Sequence, residues 1–443
     1  MKTTPAQSKE DSRQTQLPEI LSRSTEGFTL QVHIPYNNSM LRSEEIIQEC
    51  LNEAGIVATQ ETLSQFDTDG SPIQLGAEKF YSKGLEPKAY QCPHGEFVLE
   101  RHVYQTSKGG KTYCPLEHDA RIIITSTPKF AKTVSSKYAD LGSSRVQSDL
   151  KENHGRDVAR SYIQNIAEAV SAVVEAKEDK WQYQSPVVDK KISSIAIGMD
   201  GTMMLLCQDG YREAMVGTIA LYDSEGERQH TNYIAASPEY GKERFLARME
   251  QEIAHTKRDF PYAHYIGLAD GAKCNWSFLK RHTETQTIDF WHATEYLAKA
   301  ANTMFPGKRQ VQEKHAWLDG ACHRLKHSVG GASRLWNEMK AFEKQTELPR
   351  VHKEKLESAI TYFGNNRSKM TYPKNTKRNL PIGSGVTEAA CKVIVKQRMC
   401  GASMKWKDKG AAAVLRLRCV NYSTGRWGQF WDKVNQYGLP MAA

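Results

Sequence analysis

A chain of 443 residues, 39% hydrophobic and 25% charged, holds apolar material for more than one core, so two or three domains are expected, and it carries no apolar run long enough to cross a membrane. Sixty Lys and Arg against fifty-one Asp and Glu give a net charge of +9, an excess that suits a polyanionic partner. Nine scattered cysteines with no C-x-x-C pair exclude a dense disulfide framework and indicate a reducing cytoplasm.

The first eighteen residues, MKTTPAQSKEDSRQTQLP, lack the apolar stretch of a secretory signal, and residues 1–26 are expected to form a disordered tail. Residues 27–124 read as an α+β region. Gly27 to Tyr36 alternates like a strand, and Met40 to Ala54 spaces Leu41, Ile46, Ile47, Cys50 and Leu51 roughly as a helix does. Ala89 to Ile124 is strand-like and holds Cys92, His94, Cys114 and His118, in the pattern C-x-H, nineteen residues, C-x3-H. These are zinc-ligand types without the usual C-x2-4-C opening. The competing reading, ordinary strand and turn residues of a small β module, is the preferred one.

Residues 125–178 read as three helices. Thr127-Pro128 is a start signal, and Phe130, Val134, Tyr138 and Leu141 mark one face of the first. Gly142 ends it, Ser143 or Ser144 starts a second bearing Val146 and Leu150, and His154-Gly155 breaks again. The third buries Val158, Tyr162, Ile163, Ile166 and Val170 and turns Arg156, Arg160 and Gln164 outward. A basic outer face on a third short helix suits a helix-turn-helix DNA reader, and a plain helical bundle with a solvated face fits equally well.

From about residue 190 strands alternate with helices, as in an α/β domain. Ile192 to Met199 is an apolar strand ending on Asp200, a second strand spans Met203 to Cys207, and Asp209-Gly210 turns into a third, Ala214 to Tyr222. Arg228 to Ile234 is a further strand, followed by a helix over 239–256. Ala263 to Ala269 is a strand ending on Asp270, and Gln286 to Phe290 is another. Residues 291–363 are helical by pattern, with Trp317 and Trp336 in the core.

Two strands of one sheet that end in Asp, and a later helix that begins with Glu388, outline a divalent-metal site, because Mg2+ takes hard oxygen ligands and paired ions serve phosphodiester displacement. For each Asp-Gly pair taken alone a simple turn is the stronger reading. Glu388 is more informative, being the only acidic residue between Glu357 and Asp408 in a stretch rich in Lys and Arg. Lys392 and Lys396 lie four and eight residues beyond it, on the same helix face, and would meet DNA phosphates.

The strings M-D-G-T, L-A-D-G-A-K-C-N-W, D-F-W-H-A-T-E-Y-L, G-S-G-V-T-E-A-A-C-K and G-A-A-A-V-L-R-L-R occur in this order. Over roughly residues 192–437 they closely resemble the Kra-type insertion-sequence transposases, relatives of the Mutator group. The resemblance implies a ribonuclease-H-like catalytic domain in two parts, 190–305 and 365–437, around an all-helical insertion at 306–364. It implies an Asp, Asp, Glu metal triad at Asp200, Asp270 and Glu388 with Mg2+, or Mn2+ in its place, and an auxiliary D-x-x-H at Asp289 and His292, where helix capping by Asp289 is the competing explanation. The N-terminal cysteine pairs associated with relatives are absent here, so Zn2+ at Cys92, His94, Cys114 and His118 gains nothing from the resemblance. The implied partners are double-stranded DNA, both the element's terminal inverted repeats and its target, and further copies of the chain in a dimer or larger assembly at the nucleoid. A transposase-derived DNA-binding regulator and a ribonuclease-H-like nuclease without end joining are the alternatives.

Overall fold

The computed structural model describes residues 17–178, 180–238, 242–270 and 273–439. The chain is a multidomain α/β protein that divides into two units, Met1–Ala176 with Trp431–Ala443, and Lys177–Phe430. No helix among the described residues is long and apolar enough to cross a membrane.

In the first unit, β1 (Glu19–Arg23) and β2 (Phe28–Gln31) form an antiparallel hairpin. The tail expected over 1–26 therefore stops short of β1; its residues 1–16 lie outside the described residues. Helix α1 (Met40–Ser64) runs ten residues further than its apolar spacing indicated, with the Ser39 side chain capping the Arg42 amide. Strands β3 (Ile73–Leu75), β4 (Glu78–Gln91), β5 (Glu96–Thr106) and β6 (Gly109–Tyr113) make an antiparallel sheet in that order, and a short helix, α2 (Pro115–Asp119), follows. Tyr90, Cys92, Phe97 and Leu116 join Leu63 of α1 in its core.

Helices α3 (Pro128–Asp140), α4 (Ser143–His154) and α5 (Arg160–Lys177) follow. Their expected apolar residues Phe130, Val134, Val146, Leu150, Ile163, Ile166 and Val170 are all buried. Two details differ. The Thr127 side chain makes no capping bond, and the third helix starts only at Arg160, because Gly155 turns into the left-handed region at φ 63° and the chain runs on as coil to Ala159.

The second unit is built on a five-stranded mixed sheet, order β11-β10-β7-β8-β9. Strands β7 (Ile192–Leu206), β8 (Gly210–Asp223) and β9 (Arg228–Ala236) are antiparallel neighbours, while β10 (His264–Ala269) is parallel to β7 and β11 (Thr285–Ile288) parallel to β10. The two strands expected at 192–199 and 203–207 are one continuous strand. Side chains alternate across it. Ile195, Ile197 and Met199 pack with Phe245, Met249 and Ile253 of α6 (Glu243–Asp259) and with Phe278 and Leu279 of α7 (Lys273–His282). On the other face Ala196 packs with Ile266, Leu268 and Leu380.

After β11 come α8 (Phe290–Met304), α9 (Val311–His327), α10 (Gly331–Gln345), α11 (Arg350–Asn366) and α12 (Tyr372–Lys377). Leu297, Leu325, Leu335, Leu356 and Phe363 form their shared core, against which Trp317 and Trp336 are partly buried. The chain then enters α13 (Gly385–Ala390), a π turn (Cys391–Lys396) and α14 (Gln397–Met399), and ends its second unit with α15 (Asp408–Tyr422) and the start of α16 (Arg426–Tyr437).

Candidate active site

Asp200 sits within β7, not at its end. It pairs with Val216 and Gly201 pairs with Met215, so this Asp-Gly is extended strand and the turn explanation falls away. The period of two puts Asp200 on the face of Ala196 and Gly198. Leu268 of β10 lies beside Gly198, and two residues beyond that pair on each parallel strand stand Asp270 and Asp200. Ile266 and Leu268 share a cluster with Ala196, so Asp270 follows on the same face. Asp289, next after β11, donates its amide to the Ala269 carbonyl at 3.0 Å, which brings a third acidic residue to this edge.

Helix α13 reaches that edge because Gly198 has no side chain. A Cβ there would lie 2.0 Å from Thr387 Oγ1 and 2.9 Å from Thr218 Oγ1; in its absence the two buried hydroxyls bond to each other at 2.7 Å. The next residue along the helix is Glu388. Ser384 Oγ donates to Glu388 Oε1 at 2.9 Å, so Ser384 orients the carboxylate rather than capping the helix, and His292 Nε2 stands 3.8 Å from the same oxygen.

Asp289 is fully buried. Its carboxylate caps α8 by accepting from the His292 amide at 2.7 Å and also accepts from the Ser384 amide. The competing explanation for Asp289 is therefore what the structure displays: one carboxylate ties the start of α8 to the turn before α13 and sets His292 against Glu388. Ligand atoms of Asp289, His292 and Glu388 all lie within 4.8 Å of one another. The triad of Asp200, Asp270 and Glu388 is more widely spaced than this group.

Burial holds the Asp200 carboxyl above the usual carboxylate range, and neighbouring Asp270 pushes the same way, against the Gly201 amide, the Cys391 thiol and His292. Cys391 Sγ lies 3.5 Å from Asp200 Oδ2, and burial with the adjacent Asp200 charge pushes that thiol well up. Crowded, partly desolvated carboxylates of this kind are relieved by a cation. Asp200, His292, Glu388, Cys391, Lys392 and Lys396 line one open cleft of about 810 Å³, and both lysines are exposed along it. The oxygen donors suit a hard divalent ion. Asp270 is steadied from the helical block, where Tyr362 donates its hydroxyl to the Asp270 carbonyl at 3.1 Å and stacks on Tyr296.

The other expected site residues fare unevenly. Arg160 and Gln164 are exposed on the first turns of α5. Arg156 is not on that surface: it is 6% exposed, lies over the Phe130 ring and donates to Gln91. It precedes the helix, so helical phase does not govern its direction. Cys92, His94, Cys114 and His118 are not brought together. Cys92 Sγ accepts from the Gly95 amide in the core, the His94 ring lies over Gly55, Cys114 packs against the β-sheet cluster, and His118 bonds Asp119 at 2.8 Å. Among the described residues the group able to share an ion is Asp289, His292 and Glu388.

Sequence reasoning missed three participants. Ser384 and Cys391 flank Glu388 and differ in no visible way from other small polar residues. Trp291, 65% exposed beside Gly383 and next to His292, was legible only as part of a motif. The chain matches no protein-family model and no curated protein.

Proposed function

We propose that this chain is an insertion-sequence DNA transposase with a ribonuclease-H-like catalytic domain, acting through Asp200, Asp270 and Glu388 on the terminal repeats of its element in a dimer or larger assembly. The observation that carries this reading is the register of β10 on β7, which sets Asp270 beside Asp200 on the sheet face that receives the Glu388 helix. The strand order, three antiparallel strands extended by two parallel ones, supports a ribonuclease-H-like fold, and the helical block between β11 and Glu388 agrees with an insertion.

Asp200, Asp270 and Glu388 would hold Mg2+ or Mn2+, which when bound activates an attacking oxygen and stabilises the leaving one at a phosphodiester. Ser384 fixes one Glu388 oxygen, leaving the other to ligate. His292 is placed to donate to a phosphate or leaving oxygen beside Glu388. Lys392 and Lys396 would take DNA backbone phosphates along the cleft, and its openness admits a duplex. Arg160 and Gln164 remain the candidates for reading the element's ends.

The test is Asp200→Ala. Purified wild-type and variant proteins are incubated with end-containing DNA and Mg2+ or Mn2+, and nicking, end joining and complex formation are scored separately. The wild type cuts and joins; the variant binds and does not cut. Equal cleavage by both removes Asp200 from the chemistry. Binding without cleavage by either favours a regulator, and cleavage without joining favours a nuclease.

A further inference from the structure

The segment that follows Glu388 is a π turn, Cys391–Lys396. Such a turn carries one residue more than an α-helix needs and leaves backbone carbonyls without their usual helical donors. Here they are met from outside. Arg418 on α15 is 2% exposed; its Nε donates to the Ile394 carbonyl at 2.9 Å and its Nη2 to the Val393 carbonyl at 2.5 Å. The Tyr422 ring backs the guanidinium at 4.8 Å.

Both ends of the helix are pinned separately. Thr387 bonds Thr218 on the sheet at 2.7 Å. At the other end Trp406 Nε1 donates to the Met399 carbonyl at 2.9 Å, while the Trp406 backbone pairs with β7 through the Leu205 carbonyl at 3.1 Å and the Cys207 amide at 2.9 Å. The extra residue has to be absorbed between these anchors. Reverting to α geometry would turn one end against the other by about 100° and shift it by about 1.5 Å.

We infer that Arg418 is a positioning residue for the proposed metal site: its two-pronged donation holds the π turn that keeps Cys391, Lys392 and Lys396 in phase with Glu388. This rests on the transposase reading for its chemical consequence but not for its geometry. A planar guanidinium serves two successive carbonyls at once, which a lysine ammonium on a flexible stem does not reproduce.

The experiment compares wild type with Arg418→Lys, Arg418→Met, and Arg418→Met combined with deletion of Val393, which removes the extra residue and with it the need for an outside donor. Readouts are Mn2+ affinity by electron paramagnetic resonance, maleimide labelling of Cys391 followed by peptide mass, and fold by circular dichroism. Arg418→Met and Arg418→Lys are expected to weaken Mn2+ binding by about tenfold, as loss of residues that orient ligands does, and to speed Cys391 labelling. The combined variant should recover both. If Arg418→Met leaves folding too weak, Arg418→Lys carries the comparison. Unchanged Cys391 labelling and Mn2+ affinity in folded Arg418→Lys overturns the inference, as does a combined variant no better than Arg418→Met. A wild type that binds no Mn2+ overturns the transposase reading, while altered Cys391 labelling would still uphold the geometric role of Arg418.

Discussion

Gly198→Ala should dislodge the Glu388 helix while leaving every charged group in place. The new methyl would stand 2.0 Å from Thr387 Oγ1, 2.9 Å from Thr218 Oγ1 and 3.2 Å from Thr387 Cβ, so the helix must retreat and the buried 2.7 Å hydroxyl pair must part. Overpacking of this kind costs about 1–3 kcal/mol and the lost hydrogen bond about 1 kcal/mol more, roughly 2–4 kcal/mol together. In a unit of this size that lowers the thermal midpoint by roughly 5–15 °C. Thr387→Ala alone strands the Thr218 hydroxyl and is also destabilising, by about 1–2 kcal/mol. Added to Gly198→Ala, however, it removes the nearest clashing atom, so the pair should be less damaging than the sum by about 1–2 kcal/mol. Urea or thermal melts of the four proteins measure this coupling. A Gly198→Ala melt within a degree of wild type, or strictly additive losses, would refute the claim that this glycine sets the approach of α13 to β7.

Arg156→Met should cost about 1–3 kcal/mol, because a buried, stacked arginine is removed; its salt dependence of DNA binding should match wild type, and a shallower slope would restore Arg156 to the DNA surface. Replacing Lys392 and Lys396 together by Gln should reduce the slope of log affinity against log salt by about 1.8, if each meets one phosphate of duplex DNA; an unchanged slope would place the DNA elsewhere. Asp200→Asn should raise the melting temperature of chelator-treated protein at neutral pH. The sign follows from the raised Asp200 carboxyl, shifted first by burial and then by Asp270: the fold favours the protonated form, so this residue's contribution is best at acid pH and is lost as pH rises through the raised value. The gain from Asn should therefore shrink in mildly acid buffer, and a gain that is equal at both pH values would assign it to packing.

The strands bearing Asp270 and the faces of α3 to α5 were legible because periodicity reports burial directly: Phe130, Val134 and Ile163 recur at helical spacing and all three are core. The role of Glu388 was legible from charge, one acid among many bases. Asp200 was harder, since Asp-Gly is a strong turn signal and only pairing with β8 keeps Gly201 extended. Arg156 misled because helical phase was extended across Gly155, where the backbone turns left-handed. The π turn has no local signature; it is decided by anchors at Thr218 and Trp406 and by Arg418, two dozen residues away in the chain. The β1–β2 hairpin was lost to a polar composition that hid a short, mostly exposed strand.

The account rests on three carboxylates sharing divalent ions, and anomalous diffraction from crystals soaked in Mn2+ tests this most directly. It predicts a peak within about 2 Å of oxygens from Asp200, Asp270 and Glu388, lost in Glu388→Gln crystals. A peak held by other residues, or none at concentrations that support cleavage, would contradict it.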